Sequence, residues 1–216
     1  MPDFSVLLLT AAPPGLAGEA GGPFVKIDGR EALLRSVELF LNRDNIKQLQ
    51  ICFLADMLDD AKRRFGGHLS FSGVKVVTGG PRWIDQIVAG AERLAPDASH
   101  VIIHDTARPA VPYSDIDALL EEAQSKPAVS LAAPSRTALA EVDEGGSPLA
   151  FHTPDRFMQL LTPQAFSREV FLEMAKTRHE PHPSQFSLVK ASPLNTRIAG
   201  PGVERLRQAL INILPK

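Results

Sequence analysis

Short apolar runs, each closed by glycine, proline or an acid, recur along this chain and constrain its fold more than any other feature. Phe4-Ser5-Val6-Leu7-Leu8-Leu9-Thr10 leads into Ala11-Ala12-Pro13-Pro14-Gly15. Leu49–Leu54, Val74–Val77, His100–Ile103 and Ala128–Ala133 repeat the pattern. Runs this short and continuous read as strands buried on both faces of a parallel sheet. Between them, Glu31–Leu41 carries Leu33, Leu34, Val37 and Phe40 at helical spacing. Asp59–Phe65, Ile84–Leu94 and Ser114–Ala123 read as further helices, with Ser114 as N-cap and Asp117 at the capping-box position. Strands alternating with helices predict an α/β fold with a mainly parallel central sheet. Repeated right-handed crossovers would wind it on both faces.

The alternation breaks after Pro134. Leu139–Asp143 and Leu149–His152 flank Glu144-Gly145-Gly146-Ser147-Pro148, which reads as a β-hairpin because Gly-Gly suits the positive φ angles of tight turns. A lone hairpin is marginally stable, so it is expected to pair with its own body or with a second subunit. Ser167–Thr177 and Val203–Ile213 read as helices. At 216 residues, one domain is the expectation. The net charge of −2, from 23 Lys+Arg against 25 Asp+Glu, argues against a nucleic-acid binder. No apolar run is long enough to span a membrane, and Met1–Leu9 lacks the positive n-region of a signal peptide. Cys52 is the single cysteine, so no intrachain disulfide forms, which fits a reducing cytoplasm.

Ligands of open α/β sheets bind outside the carboxyl ends of the strands. Four such exits are rich in chemistry: Thr10–Lys26, Gly79-Gly80-Pro81-Arg82, His104–Pro109 and Ala133-Pro134-Ser135-Arg136. In the third, an acid stands beside a base and is followed by Arg108-Pro109, a set able to hold a metal or sugar hydroxyl and a phosphate. Asp105 capping a turn, with Arg108 as its ion partner, is the purely structural alternative.

Val101-Ile102-Ile103-His104-Asp105-Thr106-Ala107-Arg108-Pro109 resembles the H-D-A-A-R-P signature of the 2-C-methyl-D-erythritol 4-phosphate cytidylyltransferases. Thr153-Pro154-Asp155-Arg156 is similar to that family's T-x-D-R, and Leu161-Thr162-Pro163-Gln164-Ala165-Phe166 to its T-P-Q-x-F. Val76-Val77-Thr78-Gly79-Gly80 with Gly90, and Asn195-Thr196-Arg197-Ile198, resemble two further elements. The resemblance implies a Rossmann-like nucleotidyltransferase fold spanning 1–216, with a protruding β-hairpin arm at 135–152 that embraces a partner in a homodimer. It implies transfer of CMP from CTP to a sugar-alcohol phosphate, with Mg²⁺, in isoprenoid precursor synthesis. The nucleotide is then expected at Ala11, Ala12, Gly15, Gly18, Gly79, Gly80, Asp105 and Thr106. The acceptor is expected at Asp105, Arg108, Arg156 and Thr162, the metal at Asp105, and the catalytic cations at Lys26 and Arg197.

The sequence departs from the family pattern at residues that carry charge. Pro13 stands where the phosphate loop has its first glycine, Ala17 where it has an arginine, and Gly21-Gly22-Pro23-Phe24 lacks its P-K. Lys26 lies about four residues late, roughly a dozen ångströms of extended chain. Trp83 and Gln86 take the Arg and Ser positions of G-G-x-x-R-x-x-S, with Arg82 one residue early. Thr137-Ala138-Leu139-Ala140 replaces D-T-x-K, Pro183-Ser184-Gln185 stands at a T-D element, and Arg197 replaces a lysine. Removing one preorganised charge-stabilising donor typically costs ~10²–10³ in rate. Three readings follow: a cytidylyltransferase of weakened activity, a cytidylyltransferase for another alditol phosphate such as ribitol 5-phosphate, or a non-catalytic dimeric paralogue that binds a metabolite or protein.

Overall fold

The computed structural model describes residues 2–16, 18–19 and 21–214. Ala17, where the family pattern has an arginine, lies outside them. The strands are β1 Phe4–Leu9, β2 Lys26–Ile27, β3 Arg30–Glu31, β4 Ile46–Leu54, β5 Lys75–Gly79, β6 His100–Asp105, β7 Ala128–Pro134, β8 Leu139–Val142, β9 Pro148–His152, β10 Met158–Ser167 and β11 Phe186–Lys190. The α-helices are α1 Ala32–Glu38, α2 Leu58–Phe71, α3 Trp83–Ala91, α4 Tyr113–Glu122, α5 Arg168–Thr177 and α6 Val203–Ile211.

Seven strands form the central sheet in the order β11-β7-β10-β6-β1-β4-β5. The β1–β4, β1–β6, β4–β5 and β7–β11 pairs are parallel, and β10 runs antiparallel between β6 and β7. Alternation along each strand splits the core in two. Phe4, Val6 and Leu8 join Ile51, Phe53 and Ile102 beneath α1, α2 and α4. Leu7 and Leu9 join Cys52, Val77, Val101 and Ile103 beneath α3 and α5. All six residues of β1 are buried, which is why its sequence is apolar except for Ser5, whose hydroxyl donates to Gln48 Oε1 at 2.7 Å.

Strand β10 has no continuous apolar run because Pro163 sits in its middle, and proline cannot donate to a ladder. The β10–β7 register shifts between Leu161 and Gln164, so Thr162-Pro163 forms an irregularity that the ladder skips. Such bulges re-aim side chains, and this one delivers Thr162 to the end of β6. The edge strand β11 and the two-residue ribbon β2–β3 carry too short a pattern to be read from sequence. Helix α4 begins at Tyr113 with Pro112 as N-cap and no side-chain cap. Ser114 is thus inside the helix, and Asp117 pairs with Arg43 across the surface instead of closing a capping box.

The hairpin forms as expected, with Leu139 opposite His152 and Ala140 opposite Phe151, and among the described residues it pairs with no other strand. Leu139, Val142, Leu149 and Phe151 are exposed on it, Phe151 at 82%.

Helix α3 crosses β1 at Gly90. A Cβ there would lie 2.4 Å from Leu7 Cδ2 and 3.1 Å from its Cγ, inside a close-packed core. Gly90→Ala is therefore expected to destabilise the protein by about 1–3 kcal/mol through overpacking, read as a lower urea midpoint at unchanged m-value.

Candidate functional site

The order of the sheet reverses on either side of β1: the chain passes from β1 to β4 and β5, then returns to place β6 on the opposite flank. This is the topological switch point at which open α/β sheets bind ligands. Leu9 and Asp105, the last residues of β1 and β6, lie opposite one another. The strand ends are stitched by Thr106, whose N–H and hydroxyl both donate to the Leu9 carbonyl, at 3.1 and 2.7 Å. Thr106 was expected at the nucleotide, but it is fully buried and both its donors are committed to this stitch.

Asp105 is the centre of the site and is 1% exposed. Its N–H donates to Thr162 Oγ1 at 3.0 Å. Oδ1 accepts from the Ala107 N–H at 2.9 Å, and Oδ2 accepts from Arg197 Nε at 2.7 Å. Arg197 also donates through Nη1 to Glu19, which lies in the loop after β1. Arg108 is a more distant neighbour of Asp105, with Nε 3.9 Å from Oδ2. Its Nη1 donates instead to the backbone carbonyl and side-chain oxygen of Asn195, at 3.0 and 3.3 Å. Asn195 Nδ2 donates to the Thr162 carbonyl at 2.9 Å. Burial draws the Arg108 guanidinium below its ordinary range, against the pull of Asp105 and with the repulsion of Arg197.

The base beside Asp105 plays no part in this cluster. His104 lies on the other face of β6, fully buried and edge-on to Phe40, with Nε2 3.2 Å from the Arg108 carbonyl. Burial, then the nearby Arg108 charge, push its pKa down to about 3.

The segment that carries Arg197 is pinned from several sides. Ser192 N–H donates to Asp115 Oδ2 at 2.7 Å, and the Ile198 N–H to the Ala107 carbonyl at 2.7 Å. The Gly22 N–H in turn donates to the Ile198 carbonyl at 2.7 Å, tying the β1–β2 loop to the same segment.

Gln86 is fully buried, and its Oε1 accepts from the N–H groups of both Thr10 and Ala11, at 2.9 and 3.0 Å. The Ala11 N–H, expected to face the nucleotide, is therefore already satisfied. Gly79 makes this approach possible, since a Cβ there would lie 2.6 Å from Cys52 Sγ and 3.1 Å from Gln86. Gly80 packs against Asp85 in the same way.

Two cavities flank the cluster. The larger, about 690 Å³, is lined by Pro13, Pro14, Leu16, Trp83, Leu188 and Thr162 among others. The smaller, about 350 Å³, is lined by Arg136, Gln159, Ser192, Asn195, Thr196 and Arg197 among others. Arg108 and Leu161 belong to the walls of both. Ala12, Gly15 and Gly18, like Ala11, Gly79 and Gly80, are not among the residues that line either cavity, although Pro13, Pro14 and Leu16 between them are.

Lys26 lines neither cavity. It is exposed on β2, with Nζ 3.8 Å from Glu31. Arg82 is held by Asp85 at 2.8 Å, in a capping box at the start of α3. Arg156 sits in the short 3₁₀ turn Pro154–Arg156 at the foot of the hairpin, exposed and also outside both cavities. Glu19 and Arg136 fall within two of the four strand exits without standing out as site residues there, because a charge within or beside a Gly/Pro-rich exit is too common a signal.

No group of three or more His, Cys, Asp or Glu gathers to ligate a metal among the described residues. Asp105 already gives one oxygen to Arg197 and the other to a backbone N–H. A resident Mg²⁺, which demands near-octahedral oxygen ligands, does not fit a donor set of one committed carboxylate.

The 2-C-methyl-D-erythritol 4-phosphate cytidylyltransferase family model matches residues 6–190. The enzyme of that name from Clostridioides difficile (strain 630) is 26% identical over 152 residues, which cover 69% of this chain and 63% of that protein. The match thus spans a little under two thirds of that relative. The one from Saccharopolyspora erythraea is 30% identical over 171 residues, 76% of this chain and 75% of that protein. Among solved structures, the 4-diphosphocytidyl-2C-methyl-D-erythritol synthase of Anaerococcus prevotii DSM 20548 superposes with a TM-score of 0.80 at 17% identity, over 98% of this chain and 99% of that one. The cytidylyltransferase of Thermus thermophilus superposes at 0.72 with 22% identity, over 96% and 98%. The α/β fold with a mostly parallel sheet is common to them.

His104 couples stability to pH. Its ordinary pKa of 6.5 falls to about 3 in the fold, so between those values the unfolded chain takes up a proton that the native state refuses. Its contribution is complete above pH 6.5 and is lost as the pH falls towards 3, at up to about 1.4 kcal/mol per unit. Urea unfolding measured from about pH 7 to 4 is expected to show a shallower loss of stability for His104→Gln than for the parent chain. Equal slopes would assign the acid sensitivity to other groups.

Proposed function

The chain belongs to the 2-C-methyl-D-erythritol 4-phosphate cytidylyltransferase family, and from that premise we propose that it transfers CMP from CTP to 2-C-methyl-D-erythritol 4-phosphate in isoprenoid precursor synthesis. The observation that carries this reading is the pair of cavities sharing Arg108 at the switch point of the sheet. A transfer between two bound phosphates needs two adjoining pockets with a cation at their boundary.

The larger cavity takes the nucleotide, with Pro13, Pro14 and Trp83 as apolar walls for the base and ribose. The smaller, basic cavity takes the acceptor. An oxygen of the acceptor phosphate attacks the α-phosphorus of CTP, the new P–O bond forms, and the bond to the β-phosphate breaks to release pyrophosphate. Arg108 neutralises charge developing at the boundary, and Arg197, oriented by Asp105, does so from the acceptor side. Asp105 positions Arg197 instead of ligating a metal. Magnesium in this reading arrives with the triphosphate as its counter-ion. Thr162 holds the turn at Asp105, and Arg156 reaches the acceptor from the partner subunit.

The chain works as one unit over 1–216, and the arm at 135–152 clasps a second copy. Its exposed Leu139, Val142, Leu149 and Phe151 supply the apolar surface that an interface buries. The partners are otherwise small molecules, neither nucleic acid nor membrane; no helix among the described residues is long and apolar enough to cross a bilayer. The cytoplasm is the proposed location. Cys52, buried with its thiol pushed up to about 12, suits a role in packing.

Pyrophosphate release from CTP and 2-C-methyl-D-erythritol 4-phosphate is the direct test. Release that needs both substrates supports the reading; none above a no-enzyme control across Mg²⁺ concentrations overturns it. For the dimer, Phe151→Asp is expected to shift the species seen by sedimentation velocity from dimer to monomer. A parent chain that sediments as a monomer would refute the clasp.

A further inference from the structure

The small cavity contains a cation that none of the matched motifs includes. Arg136 leaves the end of β7 at the base of the hairpin, where Ser135 N–H donates to the Phe157 carbonyl at 2.9 Å. It lines the cavity beside Arg108 and Arg197, and no Asp or Glu is among the lining residues. The other two guanidiniums are largely occupied: Arg197 by Asp105 and Glu19, Arg108 by Asn195. Arg136 has no hydrogen-bond or ion-pair partner for its side chain among the described residues, and it is exposed. Among the described residues Arg108 Nε also has no hydrogen-bond partner; it is buried on a residue only 8% exposed and lies 3.9 Å from Asp105 Oδ2. With Arg197 balanced by Asp105 and Glu19, the unpartnered Arg136 and the partly free Arg108 leave a net positive charge at a cavity of about 350 Å³, which suits an anion.

The cavity's other polar groups narrow the ligand. Gln159 faces Ala133 across the β7–β10 ladder and lines the same wall, as do Ser192 and Thr196. Carboxamide and hydroxyl groups beside a cation suit a small phosphate monoester bearing hydroxyls. A nucleoside triphosphate is better accommodated by the larger cavity.

We propose that Arg136 is a specificity-determining residue that binds the acceptor's phosphate in the small cavity, supplying a positive charge that Lys26 and Arg82 do not bring there. Both of those side chains are paired elsewhere, with Glu31 and Asp85. The inference rests on the acceptor pocket assigned above, and its test separates the two.

Arg136→Gln is expected to raise the KM for 2-C-methyl-D-erythritol 4-phosphate about tenfold or more, the effect of losing a charge-assisted hydrogen bond. The KM for CTP should stay within about twofold, and Arg136→Lys should recover most of the loss, since a point charge replaces the guanidinium. An acceptor KM within about twofold of the parent, or equal rises in both KM values, overturns the proposal. If the parent chain releases no pyrophosphate, the reading of its activity fails and calorimetric titration with inorganic phosphate decides instead. Binding by the parent that Arg136→Gln weakens about tenfold sustains the anion site. Binding unchanged in the variant, or absent from the parent, overturns it. Unchanged thermal unfolding of the variant verifies that the exposed substitution leaves the fold intact.

Discussion

The ion pair between Asp105 and Arg197 is the constraint on which the site depends. Asp105 is 1% exposed, and a lone carboxylate at that depth would be heavily penalised. Arg197 neutralises it at 2.7 Å from a segment 92 residues away in sequence. Breaking such a pair from one side costs about 3–5 kcal/mol, because a buried charge is left uncompensated. The same guanidinium reaches Glu19, so the strand end, the C-terminal crossing segment and the loop after β1 are tied through one side chain. In the proposed reaction, a substrate phosphate in the small cavity would meet an arginine whose direction is already set.

That pair forms because several ordinary packing choices agree. The two-residue irregularity at Thr162-Pro163 lets β10 run between β6 and β7 while turning Thr162 to the Asp105 N–H. Asn195 joins Thr162 to Arg108, and Asp115 at the start of α4 anchors Ser192. The tightly bonded cluster and the open cavities on either side of it thus share walls. A rigid cation at their boundary meets a requirement of phosphoryl transfer, where catalysis is mainly positioning and charge neutralisation.

The altered phosphate loop has a physical counterpart on the opposite side of β1. Gln86 uses one oxygen to satisfy the Thr10 and Ala11 N–H groups, so the first turn of the loop is closed on itself by a buried side chain. Pro13 and Pro14, which have no N–H, then form part of an apolar wall with Trp83. As the proposed nucleotide pocket, the larger cavity would hold its ligand by shape more than by backbone donors. Its charged walls are Arg108, at the boundary with the small cavity, and the carboxylate-bearing Glu180.

Much of this fold was legible because strands buried on both faces are mostly apolar, and the central stretches of β1, β4, β6 and β7 are, despite single polar residues such as Gln50 and Ser130. Asp105 was legible as well, since an acid ending such a strand at an Arg-Pro turn is chemically conspicuous. Strand β10 was not, because a proline in a strand reads as a break until a neighbouring ladder is seen to skip it. The fates of the cations were not legible either. Lys26, Arg82, Arg136 and Arg197 look alike as charged residues beside loops. Which of them meets a carboxylate, and which is left for a ligand, depends on contacts between residues as much as 178 positions apart. The amino-acid sequence by itself determined the strand run, the hairpin and the place where chemistry would gather, because periodicity and breakers act locally. Only the tertiary structure decided the pairing of charges, because a charge's partner is set by distance in space.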